Sequence, residues 1–169
     1  CRPVSRYARD QHGLDPMARN LVHYQGRPAD LALGGRRARA AALLMFALPG
    51  GAYVYQGEEL GLPEAEDIPA DQLQDPVWTM SGHTDKGRDG CRVPLPWTRE
   101  GSSFGFGPDG SSVSHLPQPG WFEEFAVDRQ DGTEDSTLEL YRRALALRHR
   151  LQGPEEIQWL DSPAGVLAF

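Results

Sequence analysis

Leu48-Pro49-Gly50-Gly51-Ala52-Tyr53-Val54-Tyr55-Gln56-Gly57-Glu58-Glu59-Leu60-Gly61 is the stretch on which the fold turns. Pro49-Gly50-Gly51 ends any helix that precedes it, because proline lacks an N–H and glycine favours the turn. Ala52 to Gln56 is short, aromatic and β-branched, so it is expected to be a buried strand. Helix, tight turn and buried strand form the αβ half of an α/β repeat. A parallel barrel places its chemistry at the carboxyl ends of its strands, where Gln56 and Glu58 fall. The same residues also fit a plain edge turn with solvated glutamates.

Working upstream, Asp30 to Leu48 is expected to be a helix with Asp30 as its cap. Gly34-Gly35 weaken its first half by about 1 kcal/mol each relative to alanine. Arg36, Arg37 and Arg39 keep one side wet. Ala40 to Leu48 is apolar all round, as in a helix with protein on most sides. Before it, Asp15-Pro16 starts a short helix that carries Met17, Leu21 and Tyr24 on one face. Gly26 and Pro28 close that helix.

Downstream, residues 62–133 show almost no periodicity and hold most of the prolines and glycines. Loops beyond about 15 residues are uncommon in compact domains unless they serve a function or are disordered. Trp78, Trp97, Phe104, Phe106, Trp121, Phe122 and Phe125 argue for order. An ordered excursion on the active face is expected. Ser136 to Leu151 is an amphipathic helix opened by a capping box, Ser136 with Glu139. Its buried face is Leu138, Tyr141 and Leu145 with Ala144, Leu147 and Leu151. Glu139 is spaced to pair with Arg143, and Arg148, His149 and Arg150 suit the helix's own C-terminal dipole. Gly153-Pro154 ends the helix, and residues 157–169 begin something β-rich.

Charge and composition exclude several classes. Acidic residues outnumber basic ones 24 to 17, a net charge of −7, which opposes binding to nucleic acid or an anionic membrane surface. The longest apolar stretch, Ala40 to Pro49, is about half of what a membrane helix needs. With no signal-peptide pattern either, the cytoplasm is the expected compartment. Two cysteines, Cys1 and Cys91, make no disulfide framework. The five scattered histidines make no zinc pattern, so no metal and no cofactor are expected.

Gly87-Arg88-Asp89-Gly90-Cys91-Arg92-Val93-Pro94-Leu95-Pro96-Trp97 is the richest candidate site. Two arginines flank a glycine turn, and a rigid Pro-x-Pro-Trp follows. A guanidinium offers a planar fork of donors to adjacent hydroxyls or a carboxylate, and Asp89 is placed to hold one arginine still. The alternative is a surface salt-bridge cluster. Trp97 suits either the apolar face of a sugar or the core. His83 is a lone loop histidine, either structural or a substrate contact. Asp67, Asp71, Asp75 and the neighbouring glutamates read as a solvated acidic stretch.

Taken in order, these pieces resemble glycoside hydrolase family 13, the α-amylase family, in its oligo-1,6-glucosidase and α-glucosidase branch. Leu48 to Gly61 is similar to the family's eighth-strand segment. Gly87 to Trp97 is similar to the R-D-x-x-R-x-P-x-x-W loop of that branch. Cys1 to Tyr7 resembles the residues after the N-H-D motif that follows strand seven. Asp128 to Arg148 resembles the eighth barrel helix.

The resemblance implies the C-terminal part of a (β/α)8 TIM barrel, from the end of strand 7 to helix 8, over residues 1–153. Residues 154–169 would begin an all-β C-terminal domain. It implies retaining hydrolysis of a small neutral α-glucoside, by an Asp nucleophile and a Glu acid. Those carboxylates lie upstream of Cys1 in the family, so no catalytic residue is expected within the chain. A complete barrel takes about 250 residues, and the 169 residues alone are expected to be inactive and poorly stable. Related barrels instead return the glucosyl group to a sugar (trehalose synthases, sucrose isomerases), and others are catalytically silent. By motif match, Arg88 would contact the bound glucose. Asp89 and Arg92 would hold the loop, Gln56 and Glu58 would line or brace the pocket, and Arg2 would support the missing Asp. Gly90-Cys91 stands where much of the branch has Asn-Ala, on the aglycone flank.

Overall fold

The computed structural model describes residues 2–10, 27–107, 113–151, 153 and 156–169. The expected helix after Asp15-Pro16 and the terminal Cys1 lie outside the described residues. Helix α1, Pro3–Tyr7, opens on a proline, whose fixed φ and missing N–H cost nothing in a first turn. Helix α2, Leu31–Ala47, starts as expected: the Asp30 side chain accepts from Leu33 N at 2.8 Å.

The two helices cross closely because Gly34 has no side chain. A Cβ there would lie 2.4 Å from Val4 O and 2.8 Å from Ala8 Cβ. Gly35 meets nothing within 4 Å. The pair of glycines therefore has two different meanings. We predict that Gly34→Ala forces α1 off α2 and destabilises by about 1–3 kcal/mol. Gly35→Ala should stabilise by up to about 1 kcal/mol through helix propensity. Urea unfolding midpoints check both, and equal shifts would contradict this packing.

Helix α6, Thr137–Leu151, lies against α2. Phe46 and Tyr141 meet edge to face, with ring centroids 5.4 Å apart. Arg148 crosses over and donates to the carbonyls of Phe46 and Leu48, at 2.6 Å each, and of Gly50. It thus caps the C-terminus of α2, not that of its own helix. Half of the capping box forms, with Glu139 N on Ser136 Oγ at 3.2 Å. The Glu139 carboxylate accepts from Gly132 N and pairs with Arg142, while Arg143 turns to the Glu134 carbonyl. The expected Glu139–Arg143 pair is replaced because the chain bends back over the first turn.

The described residues of the long middle segment pack around a core of their own. Leu60, Leu62, Ala65, Ile68, Val93, Leu116 and Phe122 form it, with Phe104, Trp121 and Phe125 packed around. Short helices α3 (Pro76–Met80), α4 (Asp89–Arg92) and α5 (Val127–Gln130) sit within it.

The expected strand at 52–56 is not formed: among the described residues there is no strand. A strand exists through a ladder to its neighbours, and no described segment pairs with 52–56 in one; Tyr53 stands 88% exposed. Leu145, Leu147 and Leu151 of α6 are likewise exposed, not buried as expected. Residues 157–169 contribute one isolated antiparallel bridge, Leu160 to Ala168, under a Trp159–Phe169 edge contact. No described helix is long and apolar enough to cross a membrane.

Candidate functional site

Arg2 sits at the N-cap of α1 and is entirely buried, at 0% exposure. Its guanidinium donates to Pro63 O at 3.0 Å, Cys91 O at 3.3 Å and Gln56 O at 3.4 Å. Its backbone N–H donates to Glu64 Oε2 at 3.2 Å. One side chain thereby gathers three separate segments, and it docks the 87–92 loop onto the 55–57 turn. Burial lowers the Arg2 pKa, with Cys91, Glu64 and Tyr55 acting in the opposite sense. It remains a cation, as arginines in proteins do. Burial raises the Glu64 carboxyl. The Tyr55 hydroxyl reaches Cys91 at 3.5 Å, and burial together with that bond pushes its phenol up to about 12.

The arginine loop rests on two buried carboxylates. Asp89 Oδ2 accepts from the backbone N–H of Gln74 at 2.6 Å and of Asp75 at 2.8 Å. Asp89 Oδ1 accepts from Arg92 Nη2 at 2.5 Å. Asp75 Oδ2 accepts from Arg88 N at 2.9 Å and from Arg92 Nη2 at 3.3 Å. Arg88 Nε lies 3.8 Å from the same oxygen. Asp75 Oδ1 accepts from Val77 N and caps α3. The Arg88 backbone N–H, ahead of Val77 N and the two guanidinium charges, holds Asp75 below the usual carboxylate range. The bond to Asp89 raises Arg92.

Gly87 makes this closeness feasible. It has φ +65, and a Cβ there would fall 2.5 Å from the Asp75 carboxyl carbon. Gly90 is equally constrained, since a Cβ would meet Ala65 O at 2.5 Å. Its place in this loop therefore has a packing reason. The result is an arginine hydrogen-bonded at its backbone, with Nε in ion-pair range of Asp75, while 76% of its side chain is exposed. A guanidinium held in this way can present its Nη fork to a polar ligand with little ordering left to lose.

The other candidates divide. Gln56 is exposed and lies next to the loop through the Arg2 bridge. Glu58 points elsewhere: it accepts from Tyr141 OH at 3.5 Å and lines a cavity of about 260 Å³ with Thr137 and Tyr141. Half-burial there raises its carboxyl. His83 has φ +65 and lies against Trp78, ring centroids 5.0 Å apart. Trp97 is half exposed, and Val93 and Pro96 fill the core beside it. Asp75, read from sequence as solvated, is buried because the 62–87 segment folds it under Arg88. Asp67 and Asp71 are exposed. Glu64, one of the neighbouring glutamates read as solvated, is buried beside Arg2, and Ser5, whose Oγ accepts from Glu64 N at 2.8 Å, was not singled out from sequence. Their only signal was closeness to Arg2 and to the acidic stretch. Among the described residues no group of three His, Cys, Asp or Glu is placed to hold a metal ion.

The family model described as alpha amylase, catalytic domain, matches residues 23–153. The chain belongs to this family. A probable alpha-glucosidase of Rhizobium meliloti (strain 1021) is 35% identical over 144 residues, which are 78% of this chain and 23% of that protein. A probable oligo-1,6-glucosidase of Bacillus subtilis (strain 168) is 27% identical over 147 residues, covering 75% and 26%. Among solved structures, an alpha-glucosyl transfer enzyme matches with TM-score 0.66 at 39% identity, covering 77% of this chain and 24% of that one. The chain thus spans about a quarter of the length of the relatives it matches. The two glucosidase relatives carry names of glycoside hydrolases of α-glucosidase type, and the solved structure that of a glucosyl transfer enzyme.

Proposed function

We propose that this chain supplies the substrate-binding rim of a retaining α-glucosidase acting on terminal α-linked glucose in short oligosaccharides or disaccharides. Residues 1–153 would run from the end of the seventh strand to the eighth helix of the barrel. Residues 154–169 would open an all-β domain. The nucleophilic Asp and the acid Glu would stand on barrel strands upstream of this sequence. Arg88 would donate to hydroxyls of the glucose that the carboxylates attack. Asp89 and Arg92 would fix its loop, and Arg2 would fix the loop to the strand-eight turn. Gln56 and Trp97 would edge the pocket, and Glu58 would brace it from behind through Tyr141.

The observation that carries this reading is the anchored, exposed Arg88 fork in a chain 35% identical to a probable alpha-glucosidase. The site is chemically suited to a neutral sugar, since planar paired donors match vicinal hydroxyls. A second reading, glucosyl transfer to another sugar, is favoured by the 39% identity to an alpha-glucosyl transfer enzyme.

Product analysis of the full-length protein on maltose, isomaltose, sucrose and trehalose separates them. Free glucose should dominate. Transfer products in excess over glucose would replace hydrolysis by transfer, and no product from a folded protein would leave a silent barrel.

A further inference from the structure

Asp75 makes more contacts with the arginine loop than a surface acid needs. One oxygen, Oδ2, serves Arg88 twice, through the backbone N–H at 2.9 Å and the Nε ion pair at 3.8 Å, and takes Arg92 Nη2 at 3.3 Å. The other oxygen caps α3 through Val77 N at 3.1 Å. The carboxylate is 5% exposed, its own N–H is held by Asp89, and the chain before it is held by the Gln74 N–H on Asp89. Asp75 is therefore itself fixed on both sides, and it meets Arg88 from the inner, Nε side. That leaves the two Nη groups outside this ion pair, on a side chain that is 76% exposed.

We propose that Asp75 is a positioning residue for substrate binding, which sets the direction of the Arg88 fork by holding its Nε and its backbone. This rests on the reading of Arg88 as a sugar contact. A fork left free at Nε swings about its last torsions and loses rotamer entropy again each time sugar binds. Held at Nε it is preorganised, and the two Nη donors stay in register with a pair of hydroxyls. Asp75 touches no sugar and acts only through Arg88. Arg92 is the second guanidinium on the same oxygen. It bridges both buried carboxylates, and together Arg88 and Arg92 balance the two negative charges of Asp75 and Asp89.

The test is a double-mutant cycle in the full-length protein, read as kcat/KM on the best disaccharide together with the Nε–H signal of Arg88 by NMR. Asp75→Asn keeps an acceptor for Val77 N, so α3 retains its cap. It should lower kcat/KM about tenfold, since it takes the Oδ2 acceptor from the Arg88 backbone N–H and the opposing charge from its Nε, and it should shift the Arg88 Nε–H signal. In an Arg88→Lys background the same substitution should change kcat/KM by less than about twofold, because there is no fork left to direct. An equal loss in both backgrounds would mean that Asp75 only supports the loop, and it would overturn the proposal. So would an Arg88 Nε–H signal unmoved by Asp75→Asn. If Arg88→Lys itself leaves kcat/KM unchanged, the sugar-contact reading fails first, whatever Asp75 does.

Discussion

Arg2→Met is expected to unfold the chain or to strip most of its stability, although methionine nearly matches the volume of the side chain it replaces. Three carbonyls, those of Gln56, Pro63 and Cys91, take their bonds from this buried guanidinium. Methionine leaves all three without that donor, and it removes the positive charge beside Glu64. A buried polar group left without a partner costs about 1–3 kcal/mol, and breaking a buried charged network costs about 3–5 kcal/mol. Against the 5–15 kcal/mol or so that typically holds a domain together, that is a large share. Swapping a whole buried polar set for apolar groups can be neutral, but here the carbonyls are backbone and cannot be swapped. Arg2→Lys keeps the charge and loses the fork, so an intermediate loss is expected. Urea unfolding followed by circular dichroism checks both. A methionine variant within about 0.5 kcal/mol of the unmutated chain would show that Arg2 does not hold these segments together.

Arg88→Ala should have the opposite character: little change in stability and a large loss of function. The side chain is 76% exposed, and surface substitutions usually move stability by about 0.5 kcal/mol or less. Its anchoring Asp75 keeps the Arg88 backbone N–H and Arg92 as partners. In the full-length protein, removing two donors to a bound sugar should lower kcat/KM about a hundredfold. If the contacts strengthen as the ring flattens toward the transition state, most of the loss falls in kcat; if they are uniform, it falls in KM. Arg88→Lys should recover only a small part, because an ammonium cannot offer two parallel donors. A salt-bridge cluster with no ligand predicts unchanged kinetics in both variants.

How much of this was legible in the residues follows from how local each signal is. The α2 start at Asp30 and the α6 start at Ser136 are set by neighbours within a few positions, and the structure has both in place. The strand at 52–56 and the buried face of Leu145, Leu147 and Leu151 depend on partners across a layer, and pattern alone cannot say whether those partners are at hand. Asp75 was misread for a related reason. Pro76 beside it marks it locally as a helix cap, which Asp67 and Asp71 are not, but its burial comes from Arg88 and Asp89, which return thirteen and fourteen residues later. Gly34 looked like a helix defect and is a helix contact, since its neighbours Val4 and Ala8 are some thirty residues away in the chain. Arg148 reads as a dipole complement to its own helix until α2 is seen ending beside it.

The most direct measurement of the central claim is a crystal structure of the full-length protein with glucose bound. The Nη atoms of Arg88 are expected at about 3 Å from hydroxyls of the sugar, with Nε still facing Asp75. Glucose bound with Arg88 turned to solvent, and no hydroxyl within about 4 Å of its guanidinium, would contradict it.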